Sequence, residues 1–98
     1  MEGKWELTVH TYMGDMVSFA EYVVEGDVLK GTVTDKSNGA KAEIVNGKFD
    51  GTNFSYELTI KTPIGEMKNE LSGTVDGDSI SGKSKNGMGE FDLTGVRQ

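Results

Sequence analysis

Between Lys4 and Thr11 apolar and polar residues alternate, with Trp5, Leu7 and Val9 on one side and Glu6, Thr8 and His10 on the other. A period of two is the signature of a strand with one buried face. The alternation recurs along the chain, broken by Asn38-Gly39, Asn46-Gly47, Asp50-Gly51, Asp76-Gly77 and Asn86-Gly87. Pairs of this kind supply the positive-φ residues that tight hairpins demand. The pattern predicts strands near 4–11, 16–25, 28–34, 40–45, 53–62, 67–75, 79–85 and 89–96. No segment carries a 3.6-residue apolar period long enough for a helix.

The order of these strands is written twice. "WELTVHTYMGDM" from Trp5 falls on "YELTIKTPIGEM" from Tyr56, and "VEGDVLKG" from Val24 falls on "VDGDSISG" from Val75, each 51 positions later. Glycines and turn acids coincide along with the apolar positions, which simple β alternation would not preserve. The chain therefore reads as two four-strand units, about 3–50 and 53–97, in a single domain over residues 1–98. Eight consecutive antiparallel strands on short hairpins form a meander, and closing it into an up-and-down barrel removes both edges. A sandwich of two four-stranded sheets would use the same strands.

The repeat also assigns faces, because an inward position should be apolar or small in both copies. Met16, Ser18, Ala20, Tyr22 and Val24 match Met67, Asn69, Leu71, Gly73 and Val75. Leu29, Gly31 and Val33 match Ile80, Gly82 and Ser84, while Ala40, Ala42 and Ile44 match Gly89, Phe91 and Leu93. No Asp, Glu, Lys, Arg or His is expected on the inward face of any strand.

Composition narrows the functions. The 98 residues carry 14 glycines, 35% hydrophobic residues and a net charge of −6. A chain this acidic has no basic footprint for nucleic acid or an anionic membrane. The absence of Cys excludes disulfides, thiol catalysis and thiolate metal sites. The start "MEGKWELTVH" has neither a basic n-region nor an apolar h-region, so a cytoplasmic location is expected. No cofactor or metal is expected: His10 alone makes a poor transition-metal site, and "EGD" and "DGD" fall short of a calcium shell.

"GKWELTV", then "MG" and "GDVLKGTV", resembles the small all-β domains appended C-terminally to bacterial hydrolases of the amidohydrolase type. Gly3-x-Trp5 also resembles the opening strand of avidin-like and lipocalin-like (calycin) barrels. The resemblance implies an accessory barrel with a catalytic partner protein or domain. Biotin-binding barrels carry several pocket tryptophans, and this chain has only Trp5, so biotin is not implied.

Candidate chemistry is left to an inward minority, Trp5, Ser18, Tyr22, Tyr56 and Asn69, with Thr11 and Thr62. These residues satisfy one another in a filled core, or they orient a small neutral ligand in a cavity. A meander places alternate hairpins at one end. The first, third, fifth and seventh turns there present Tyr12, Met13, Pro63, Ile64 and Met88, while the other end is acidic. Apolar tips point to a binding end, with Tyr12, Met13, Ile64 and Met88 as ligand contacts. On the outer face of the second strand Val17, Phe19 and Val23 stand where the second copy has Lys68, Glu70 and Thr74, which suggests a homodimer interface. The expected function is a non-catalytic binding or accessory module for a small apolar or neutral ligand or a partner protein. The alternatives are a cofactor-free isomerase or lyase using interior Tyr and Asn, and a self-associating structural domain.

Overall fold

The computed structural model describes residues 2–12, 14–36, 39–62, 65–87 and 89–98, without the side chains of Ile60, Lys61, Thr62 and Met67. The described chain is all β: β1 (Gly3–Thr11), β2 (Gly14–Glu25), β3 (Val28–Asp35), β4 (Lys41–Glu43), β5 (Val45–Phe49), β6 (Asn53–Thr62), β7 (Gly65–Asp76), β8 (Ser79–Asn86) and β9 (Gly89–Arg97). Every pairing is antiparallel, β3 pairs with both β4 and β5, and β9 returns to β1. β4 and β5 are successive pieces of one wall element, so the fold is the expected closed eight-stranded barrel. Thr11 faces Gly14 in the first hairpin and Thr62 faces Gly65 in the fifth, in the same register 51 residues apart.

The fourth strand departs from expectation. Asn46-Gly47 is not a hairpin turn; Ala40 lies outside the strand, and the chain runs on through β5 to Phe49. Asn46 takes φ 54°, and the register of β5 against β6 shifts between Val45 and Lys48. One left-handed residue inside a strand makes a bulge, and an Asn-Gly pair suits a bulge as well as a turn. Gly47 is required there, because a Cβ would lie 2.0 Å from the Leu29 carbonyl oxygen. The actual turn follows at Asp50, whose carboxylate accepts from the amides of Asn53 (2.7 Å) and Thr52 (2.9 Å). Those bonds hold its carboxyl below the usual range.

The bulge has a second effect. Rungs between β5 and β6 join Phe49 to Phe54, Lys48 to Ser55 and Val45 to Glu57, and among the described residues none joins β4 to β6. The Asn53 carbonyl accepts from Asp50 N–H, so alternate residues of β6, including Thr59 and Lys61, turn their backbone groups toward β4. Ile44 N–H donates to the Gly31 carbonyl, so Lys41 and Glu43 turn theirs toward β6. A short seam without ladder bonds is left in the wall.

Trp5, Leu7, Ala20, Tyr22, Leu29, Val33, Phe54, Tyr56, Leu58, Leu71, Ile80 and Leu93 form the core, while Lys68, Glu70, Ser72 and Thr74 face solvent as expected. Two expectations are corrected. Met16 is exposed, because the start of β2 projects past the packed interior. The inward series is also not free of charge: β9 extends one residue beyond the expected end, and Phe91, Leu93 and Gly95 are followed on the same face by Arg97. Its guanidinium lies 4.5 Å from the centre of the Trp5 ring, donating from Nε to Asp78 Oδ1 (3.0 Å) and from Nη1 to the Glu2 carbonyl (2.6 Å). An arginine can cap an aromatic face while its polar rim stays wet.

Candidate functional site at the far end of the barrel

Both termini and the turns at Gly26-Asp27, 50–52 and Gly77-Asp78 share one end, here the terminal end. The far end holds Tyr12, the ends of β1, β3, β6 and β8 and the starts of β2, β4, β7 and β9. The two halves of the interior differ in kind. Trp5, Tyr22, Phe54 and Tyr56 fill the terminal half and are all buried. The Tyr22 and Tyr56 hydroxyls share a hydrogen bond of 2.6 Å, their ring centroids lie 5.7 Å apart, and Phe54 stacks on Tyr56 at 5.9 Å. Arg97 closes over the Trp5 ring at this end.

Burial pushes both phenols well above the ordinary tyrosine value of 10.0. The hydroxyls therefore stay neutral in the folded state. The unfolded chain can ionise them near pH 10, so they contribute a fall in stability as pH rises from there. One hydrogen bond between two hydroxyls uses only one of their two protons as donor. Tyr22→Phe or Tyr56→Phe alone should cost about 1–3 kcal/mol, because each leaves a buried hydroxyl unpartnered. The double variant should cost less than the sum and flatten the alkaline fall in stability. Urea unfolding at pH 7 and pH 10.5 measures both; strict additivity would mean the pair is not coupled.

Among the described residues, the far half is lined by smaller and more polar groups: Val9, Ser18, Leu58, Asn69, Ser84 and Phe91. Asn69 and Ser84 are each 5% exposed, and Asn86 Nδ2 donates to Asn69 Oδ1 at 3.0 Å. At the rim the Tyr12 ring, 73% exposed, lies 6.2 Å from that of Phe91. Of the expected ligand residues, Ser18, Asn69 and Tyr12 belong to this end. Trp5, Tyr22 and Tyr56 belong to the aromatic terminal half, and Met13, Ile64 and Met88 lie outside the described residues, as does Pro63. Ser84, Asn86 and Phe91 join Ser18, Asn69 and Tyr12 here, although the sequence pattern does not mark these three as site residues. The inward series through Ile80, Gly82 and Ser84 does extend to Asn86, but Asn86-Gly87 reads first as a turn.

Outside the wall, His10 Nδ1 lies 3.0 Å from Asp15 Oδ1 and Nε2 lies 3.1 Å from Thr94 Oγ1. Lys83 pairs with Asp92 next to it, and that contact raises the lysine and lowers the aspartate from their usual values. On β2, Val17 is half-buried, while Phe19 and Val23 are 38% and 43% exposed. Glu6 separates Phe19 from exposed Val96, so apolar groups flank it on both neighbouring strands.

No family model matches the chain. No curated protein matches it either. Among solved structures it is similar to a redesigned β-barrel, mFAP1, solved bound to DFHBI, with a TM-score of 0.67, 13% sequence identity and coverage of 99% of this chain and 94% of that one. A likeness at that identity is one of fold, and the fold is a closed antiparallel β-barrel.

Proposed function

We propose that the chain is a non-catalytic binding module that takes a small apolar or neutral ligand at the far end of the barrel. The observation that carries this is the asymmetry of the interior. One half is packed with aromatic rings and capped by Arg97, while the other leaves Val9, Ser18 and Phe91 only half covered behind an exposed Tyr12. Clefts with apolar walls and a few polar groups are the usual setting for small-molecule binding. The redesigned barrel of similar fold was solved with a small molecule bound, which lends support by analogy. Tyr22 and Tyr56, buried, paired and held neutral, suit packing better than proton transfer, which favours binding over an isomerase or lyase. Service beside a catalytic partner protein or domain fits the same reading.

Amide chemical shifts recorded during a screen of small apolar fragments test it. Perturbations should cluster at Val9, Ser18, Asn69, Ser84 and Phe91. Shifts confined to the terminal end, or none at all, would overturn the proposal.

A second reading concerns the outer face: the stripe of Val17, Phe19 and Val23 supports a homodimer. Each buried side chain contributes up to about 1.5–3 kcal/mol, and two-fold symmetry counts it twice. Phe19→Glu should therefore weaken self-association by about 100-fold or more while leaving the barrel folded. Sedimentation of wild type and variant reads this directly; a wild type that is monomeric at high concentration rejects it.

A further inference from the structure

We infer that the far-end site recognises its ligand through one hydrogen-bond-accepting oxygen on an otherwise apolar, uncharged body, held between Asn69 Nδ2 and Ser84 Oγ. This rests on the binding reading above and specifies its chemistry.

Buried polar side chains have partners in nearly all native structures. Asn69 and Ser84 are each only 5% exposed. Asn86 occupies the acceptor atom of Asn69, whereas Asn69 Nδ2 and Ser84 Oγ have no hydrogen bond among the described residues. Yet no buried side-chain nitrogen or oxygen there is both sealed from solvent and unpartnered. Each of the two atoms therefore borders some space that a water molecule can touch.

Their placement matches a single small target. Ser84 faces Leu71 across the β7–β8 ladder, and Asn69 stands two residues from Leu71 on the same inward face. Diagonal neighbours of this kind lie about 7–8 Å apart at the backbone, close enough for both side chains to reach one atom. A carbonyl oxygen has two lone pairs and accepts both bonds. Leu58 faces Asn69 across β6–β7, Phe91 faces Ser84 across β8–β9, and Leu71 and Leu93 complete an apolar surround. A carboxylate buried here would meet no cation among these residues, which disfavours acids. A ketone, ester or tertiary amide fits; a pure hydrocarbon leaves both donors unpaired.

Acetophenone and its hydrocarbon isostere isopropylbenzene separate these outcomes. Titrations of labelled protein should give about tenfold tighter binding for the ketone, with the Asn69 side-chain amide signal shifting as it binds. The ratio should fall to about one in Asn69→Leu and should shrink in Ser84→Ala, which carries the test if the first variant does not fold. Equal affinity of wild type for the two probes overturns the acceptor inference and leaves the binding reading standing. A ratio unchanged in every folded variant also overturns it. Failure of both probes to bind overturns the two together.

Discussion

Gly31→Ala should destabilise the barrel by about 4–5 kcal/mol or more, and Gly82→Ala, its counterpart 51 residues on, should do the same. A Cβ at Gly31 would stand 1.9 Å from the Glu21 carbonyl oxygen, and one at Gly82 would stand 2.0 Å from that of Ser72. Neither obstacle is a side chain that can swing aside; both belong to the neighbouring strand's backbone. Gly31 also has φ +146°, where an L side chain is strained whatever the space. A small domain has only about 5–15 kcal/mol of stability in total, so either variant should be largely unfolded or nearly so. Urea denaturation followed by circular dichroism decides it. A cost below about 1 kcal/mol would mean that the β2–β3 and β7–β8 pairs can part without penalty.

The second large effect is expected at Trp5. Trp5→Ala removes the largest fully buried side chain and should cost about 3–5 kcal/mol. Arg97→Ala should cost about 1 kcal/mol, since its charge lies at the rim and only its contact with the ring is sheltered. In the double variant the loss should be less than the sum, because a guanidinium without the indole has nothing to stack on. Trp5 is the chain's one tryptophan, so its fluorescence reports unfolding of Arg97→Ala, while circular dichroism must serve for Trp5→Ala. Full additivity would show that the 4.5 Å contact is incidental.

The alternation from Lys4 to Thr11 and its later recurrences were sufficient for strand number, order and most inward faces, because a period of two leaves little choice once the glycines are placed. Less was legible where one local signal serves two geometries. Asn46-Gly47 fits a turn and a bulge alike, and only the partner strands decide between them. Arg97 was hidden because a charged residue at the end of an inward series looks like a strand terminus, although its long stem suits a cap. The candidate site shows the same limit. Alternation put Tyr22, Tyr56 and Asn69 inside together, but not that the tyrosines bond to each other in one half while Asn69 stands in the other. Position along the barrel axis depends on strand tilt and register, which no single strand's pattern carries.

The seam beside β4 bears on how this molecule remains a single species. A closed barrel offers no bare strand margin for a second chain to add to, which is a protection against ordered aggregation. Here that protection lapses over one short stretch, where the backbone of Lys41 and Glu43 looks across at Thr59 and Lys61 with no ladder bond between them. Lys41 and Glu43 are both exposed, and charged side chains of this kind discourage an incoming strand from docking. Neutral β-branched residues at these two places would preserve the interior and remove the deterrent, turning a quiet margin into a template for polymerisation.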